Sequence, residues 1–293
     1  MRNFGRVLTA MVTPFNDDYS VNYGEAAKLA KYLVNNGSDG VVVAGSTGES
    51  ATLSKDEKIK LFAAVMEAIG HQATVIAGTG SNDTRASIEL TKEAEKIGVH
   101  GAMLVGPYYN KPPQEGFFQH FKAIADATQL PLIVYNVPGR TGSNILPPTV
   151  ARLAEIKNIV AVKEASGSLE QVSEIIRTTP SDFLVYSGDD GLTLPILGVG
   201  GHGVISVAGH IVGKRLQEMI AAFAAGDKDK AQTLHLELMP FFKVIFVTTN
   251  PIPIKEAVNL IGINAGPVRL PLVPPTAGER EQLKKVMQSL GSI

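Results

Sequence analysis

Between residues 7 and 210 the chain alternates short apolar runs with helical patterns, and this alternation restricts the fold more than any other feature. The runs lie at 7–12, 40–44, 74–77, 102–105, 132–135, 159–162, 183–186 and 204–207. Each is a near-continuous string of β-branched and aliphatic residues. Such strings fit strands buried on both faces, as in a parallel sheet covered by helices. The intervening segments carry helix punctuation. Ser54-Lys-Asp-Glu57 and Ser168-Leu-Glu-Gln171 read as capping boxes. Phe62, Val65, Met66 and Ile69 recur at helical spacing, with Gly70 as a stop, and Gly98 ends the next segment the same way. Eight β-then-α units in succession predict an α/β fold, a closed (β/α)8 TIM barrel. An open doubly wound sheet fits less well, since no G-x-G-x-x-G follows the first run.

Beyond residue 210 the strand signal stops. Leu216, Met219, Ile220 and Phe223 form an apolar helix stripe, and Gly226-Asp227 reads as one helix ending and another being capped. Segments 227–247, 254–261 and 277–290 continue as helices. The expected division is a catalytic barrel over 1–225 and a helical domain over 226–293, packed on the barrel or on a neighbouring subunit.

Composition narrows the function classes. The 293 residues carry a net charge of −1 with no basic stripe, which argues against a nucleic-acid partner. No apolar stretch approaches a membrane span, and Met1-Arg-Asn-Phe-Gly5 lacks a secretory pattern, so a cytoplasmic location is expected. There is no cysteine, and the six histidines lie far apart without metal-ligand spacing. His210 and His235 read as helix-associated polar residues. No metal site and no cofactor are expected.

In such barrels chemistry collects at the C-terminal ends of the strands. The second run is followed by Gly45-Ser-Thr-Gly-Glu49, and the fourth by Gly106-Pro-Tyr-Tyr-Asn110. The fifth leads into Tyr135-Asn-Val-Pro-Gly-Arg140, the sixth ends at Lys163-Glu164, and the seventh runs into Ser187-Gly-Asp-Asp190. A lysine closing a buried strand loses hydration, which lowers its pKa and yields the neutral amine that imine formation needs. Around it, a glycine-flanked turn at Ser46 and Thr47 can bind a carboxylate through its amides, and a tyrosine can shuttle protons. An arginine fork can hold a second carboxylate. Each feature also has a plainer reading: a snorkelling lysine, an ordinary βα turn, loop-packing tyrosines and a surface ion pair. Their collection on one rim favours the chemistry. Gly198-Val-Gly-Gly-His-Gly203 precedes its strand, so tight chain entry is expected of it rather than phosphate binding. Asp189-Asp190 is expected to be a solvated turn or helix cap rather than a cation site.

These motifs together resemble the class I pyruvate-dependent aldolase and N-acetylneuraminate lyase family of (β/α)8 barrels. The likeness spans nearly the whole chain, from Thr9-Ala-Met-Val-Thr-Pro-Phe15 through GSTGES, AGTGSN, GPYYNKPPQEG, YNVPGRTG, VKEASG, SGDD and GGHGVISV to NPIPIKEA. GSTGE and the strand-6 lysine imply pyruvate imine chemistry in general. YYNKP and YNVPGRTG point to the branch that condenses pyruvate with L-aspartate 4-semialdehyde, giving 4-hydroxy-2,3,4,5-tetrahydrodipicolinate for lysine and diaminopimelate. The alternative is an aldolase or dehydratase acting on a sugar-derived 2-oxo acid, such as 2-keto-3-deoxygluconate or N-acetylneuraminate. By resemblance, Lys163 forms the Schiff base, and Thr47, Tyr109 and Tyr135 form the proton relay, with Tyr109 reaching into a neighbouring subunit. Ser46 and Thr47 bind the pyruvate carboxylate, Arg140 takes the semialdehyde carboxylate, and Gly188 and Ile205 line the pocket. A homotetramer built from two tight dimers, needing no organic cofactor, is implied.

Two departures matter. Ser46 stands where this branch commonly has threonine, although the hydroxyl is kept. Many relatives bind inhibitory L-lysine at the tight-dimer interface, and Ser50, Ala51, Asn82 and Tyr108 match that site. Lys55 and Lys58, however, replace histidines common in lysine-sensitive bacterial forms, and Ala86 replaces a glutamate. Losing a carboxylate while adding cations predicts weak lysine feedback.

Overall fold

The structure is a computed structural model that describes residues 4–293; Met1–Asn3, the start of the segment read for a secretory pattern, lie outside them. Eight parallel strands close in sequence order into a barrel: β1 (Val7–Ala10), β2 (Gly40–Val43), β3 (Thr74–Gly78), β4 (Gly101–Val105), β5 (Leu132–Asn136), β6 (Ile159–Glu164), β7 (Leu184–Ser187) and β8 (Gly203–Ser206). β1 pairs with both β2 and β8, so no edge is left open.

Alternation along the strands builds two cores. Leu8, Val42, Ile76, Met103, Ile133, Ala161 and Ile205 point inward and fill the barrel, while their neighbours pack against the helices. The helix signals hold unevenly. Ser54 and Glu57 form both halves of a capping box, whereas Ser168 accepts from the Gln171 amide but the Gln171 side chain turns to Asn144 and Glu164. Gly98 caps its helix in the left-handed conformation at φ 86°, where glycine is preferred. Gly203 does mark tight entry: a side chain there would collide with the Arg6 carbonyl.

The C-terminal helices Lys228–Val244, Ile252–Leu260 and Ala277–Ser289 follow the expected segments within a few residues. Their Leu238, Phe241, Ile254, Val258 and Leu283 join the same core as Leu216, Met219 and Ile220 of the last barrel helix, Gly209–Ala224. No helix among the described residues is long and apolar enough to cross a membrane.

Candidate active site

Lys163 lies in β6, one residue before its end at Glu164, where the pairing with β5 and β7 still holds. It stands in register between Tyr135 and Tyr186 and is 4% exposed. Its ammonium sits 4.3 Å from the centroid of the Tyr135 ring. Burial lowers its pKa to about 8; the Asp190 charge opposes that fall and the Arg140 charge adds to it. Among the described residues no carboxylate lies within ion-pair distance of Lys163. Gly188 supplies the space above it, since an added Cβ would meet Ala165 at 2.7 Å and the Lys163 Cε at 3.2 Å. Ile205 is fully buried in the barrel interior.

Burial pushes the Tyr135 phenol up to about 12, opposed by the Arg140 charge and by the neighbouring Ser46 side chain. Ser46, and not Thr47, lines the cavity together with Tyr135. Thr47, expected in the relay, is buried and accepts a 2.9 Å hydrogen bond from Asn250 Nδ2. The pairing differs from expectation because Ser46 faces the cavity while Thr47 turns beneath the loop toward the C-terminal segment. In the same turn the amides of Gly48, Glu49 and Ser50 donate to Gly45 and Ser46 carbonyls. The Ser46 and Thr47 amides find no protein acceptor among the described residues, which leaves two donors for an anion.

A cavity of about 370 Å³ opens here, lined by Ser46, Tyr135, Arg140 and Asn250 and extending past Tyr108 to Lys58. Arg140 comes from the short helix Pro138–Thr141, a turn that strand and helix periodicity could not announce. It is exposed and donates to the Asn250 carbonyl at 2.8 Å, which orients the guanidinium at the cavity mouth. Tyr109 does not join the site of its own chain. It is 90% exposed on a left-handed backbone at φ 72°.

Asp190 corrects one expectation. Asp189 is an exposed cap that accepts from the Gly191 amide, but Asp190 is buried rather than solvated. Its carboxylate accepts from the Ser206 hydroxyl and from the Val207 and Ala208 amides, each at 3.0 Å, and so ties β7 to the end of β8. His210, read as a helix polar residue, is likewise fully buried: its Nε2 accepts from the Val12 amide, and its Nδ1 lies 2.8 Å from the Val207 carbonyl. Burial holds it near pKa 4, hence neutral.

A model of the dihydrodipicolinate synthetase family matches residues 3–290. The chain belongs to that family. One relative, the 4-hydroxy-tetrahydrodipicolinate synthase of Desulforamulus reducens, is 62% identical over 289 residues, covering 98% of each chain. The solved dihydrodipicolinate synthase of Bacillus anthracis is 52% identical, with a TM-score of 0.97 over 99% of both chains. That of Cyanidioschyzon merolae, solved with lysine bound, is 50% identical, with a TM-score of 0.98 over 99% of both. Family membership fits the geometry: a desolvated lysine, a tyrosine stacked beside it and a pair of free amides are the parts a pyruvate imine requires.

The proposed lysine-binding positions lie around the far end of the cavity. Ser50, Ala51, Lys58 and Tyr108 line it. Asn82 donates to the Tyr108 carbonyl at 3.2 Å and braces that loop. Lys55 is exposed and paired with Glu89 at 3.3 Å, and Ala86 is exposed. Lys58 is half-buried, and burial lowers its pKa.

Proposed function

We propose that this chain condenses pyruvate with L-aspartate 4-semialdehyde to give 4-hydroxy-2,3,4,5-tetrahydrodipicolinate. The observation that carries the reading is the buried, carboxylate-free Lys163 against Tyr135, beside the unpaired Ser46 and Thr47 amides. The neutral Lys163 amine attacks the pyruvate carbonyl carbon, and the carbinolamine loses water to form the imine. Tyr135, with the Ser46 hydroxyl behind it, delivers and removes the protons for dehydration and for loss of a methyl proton to the enamine. The Ser46 and Thr47 amides hold the carboxylate throughout. The enamine carbon attacks the semialdehyde aldehyde, whose own carboxylate rests on Arg140. The substrate amine then displaces Lys163 by transimination and closes the ring, for a net release of one water. Nothing in the site favours the sugar-acid alternative, and the 62% identical relative is named for the synthase reaction.

Borohydride reduction with pyruvate tests the imine: a pyruvyl adduct at Lys163 is expected, and its absence overturns the reading. Turnover of the semialdehyde against N-acetylneuraminate and 2-keto-3-deoxygluconate then separates the two substrate classes. Arg140→Ala should raise the semialdehyde KM roughly 10- to 100-fold, the value of a charged hydrogen bond, with adduct formation kept. Equal loss of both would remove Arg140 from its role.

The working unit in this reading is a cytoplasmic homotetramer, in which the exposed Tyr109 completes a neighbouring subunit's relay. Weak feedback follows from Lys55, Lys58 and Ala86, because a carboxylate that would pair with the ligand ammonium is lost while cations are added, Lys58 at the cavity lining itself. Inhibition of the purified enzyme by low-micromolar L-lysine would refute this.

A further inference from the structure

The segment from Asn250 to Arg269 lies some 200 residues from the 45–49 turn in sequence, yet it grips that turn at three points. Asn250 Nδ2 donates to the Thr47 hydroxyl at 2.9 Å. Lys255 Nζ donates to Glu49 Oε1 at 2.7 Å, with both side chains 1% exposed. The Arg269 amide donates to Glu49 Oε2 at 2.8 Å, so both carboxylate oxygens are taken. The clamp is itself braced. Lys255 and Arg269 both lie over the Phe15 ring, at 3.9 and 4.3 Å from its centroid. The Arg269 guanidinium also binds the Thr52 and Tyr19 carbonyls and Glu57.

Glu49 needs such a clamp. Its φ of 55° is left-handed, a conformation that a side chain larger than glycine's adopts only when its surroundings enforce it. Ala44, at the other end of the turn, is also left-handed at φ 53°. Between these two points lie the Ser46 and Thr47 amides that donate to no protein acceptor. A turn strained at both ends would relax if released, and the two amides would shift with it.

We propose that Lys255 and Arg269 are positioning residues for the pyruvate carboxylate: by fixing both oxygens of Glu49 they hold the 45–49 turn and its two free amides in place beside the cavity that Ser46 lines. The C-terminal segment is thereby part of the pyruvate site. Lys255 touches no substrate in this scheme and takes no part in imine chemistry. The inference rests on the function proposed above.

The test measures borohydride trapping of pyruvate on Lys163 as a function of pyruvate concentration. Lys255→Met alone would leave Glu49 buried without its cation, so the principal variant is the double substitution Glu49→Gln, Lys255→Met, which removes both charges. It should fold cooperatively and trap pyruvate fully at saturation, while half-saturation moves up by about tenfold or more, as expected when oriented donors are misplaced. Lys255→Arg, which keeps a cation for Glu49, should recover most of the shift. Half-saturation unchanged in the folded double variant would overturn the inference, as would a loss of trapped fraction at saturation with no change in half-saturation. If the unaltered chain forms no adduct, the proposed function fails first; an adduct in the unaltered chain with variants equally sensitive to pyruvate refutes only the positioning role.

Discussion

Lys163 and Lys255 are two buried lysines in different parts of the molecule, one at the mouth of the barrel and one in the helical segment behind it. They are 4% and 1% exposed, and burial lowers both to about pKa 8. Each also lies over an aromatic ring, Tyr135 in one case and Phe15 in the other. Their surroundings differ in one respect. Lys255 has a carboxylate at 2.7 Å, whereas the charge that supports Lys163, that of Asp190, is spent on Ser206 and two amides. Desolvation therefore does not distinguish a nucleophile from a strut. A saturated partner fixes Lys255; in the proposed function the lack of one, with the space left by Gly188, leaves Lys163 free to react.

The sharpest way to break this comparison is Lys163→Ala. It should abolish the pyruvyl adduct completely while leaving the unfolding midpoint unchanged or higher, since a buried cation without a paired anion is removed. An adduct appearing at Lys255 instead, read by peptide mass spectrometry, would show that burial alone creates the nucleophile. Lys255→Met should do the opposite. Stranding Glu49 should cost about 3–5 kcal/mol in denaturant unfolding, with most of it regained when Glu49 is made Gln. Loss of stability no larger than for a surface lysine would mean the pair is not a strut. The smallest effect concerns pH. Only the neutral amine attacks, so adduct formation should rise with pH through about 8 as Lys163 loses its proton, and fall on the acid side. A profile still climbing toward the ordinary lysine range would mean that Lys163 is more hydrated than its burial implies.

Much of the barrel was legible because strand and helix periods are local. All eight runs became strands with ends shifted by one or two residues, and the Ser54 capping box formed as read. The rim could be assembled from strand ends alone, which brought Lys163, Tyr135, Ser46 and Arg140 together. The division of labour between adjacent hydroxyls was not legible. Ser46 and Thr47 are neighbours in a turn, and only the backbone path decides that the first lines the cavity with Tyr135 and the second meets Asn250. The buried state of Asp190 was hidden for a similar reason: an acidic pair in a glycine turn reads as solvated until β8 supplies its donors. Lys255 and Arg269 gave no signal, because a lysine inside an amphipathic helix and an arginine in a proline-flanked loop look like surface residues.

The sequence by itself determined the closed barrel, the helical extension, the lysine and the rim that surrounds it, since these follow from hydrophobic period and from the rule that strand ends share one face. Tertiary structure decided which hydroxyl lines the cavity with Tyr135, how Glu49 is held in a left-handed conformation, and which of two desolvated lysines is left without a partner. Those outcomes depend on contacts between segments about 200 residues apart, such as Glu49 with Lys255 and Arg269. No local pattern encodes such contacts, because the energy that selects them arises only when the chain has closed and water has been excluded.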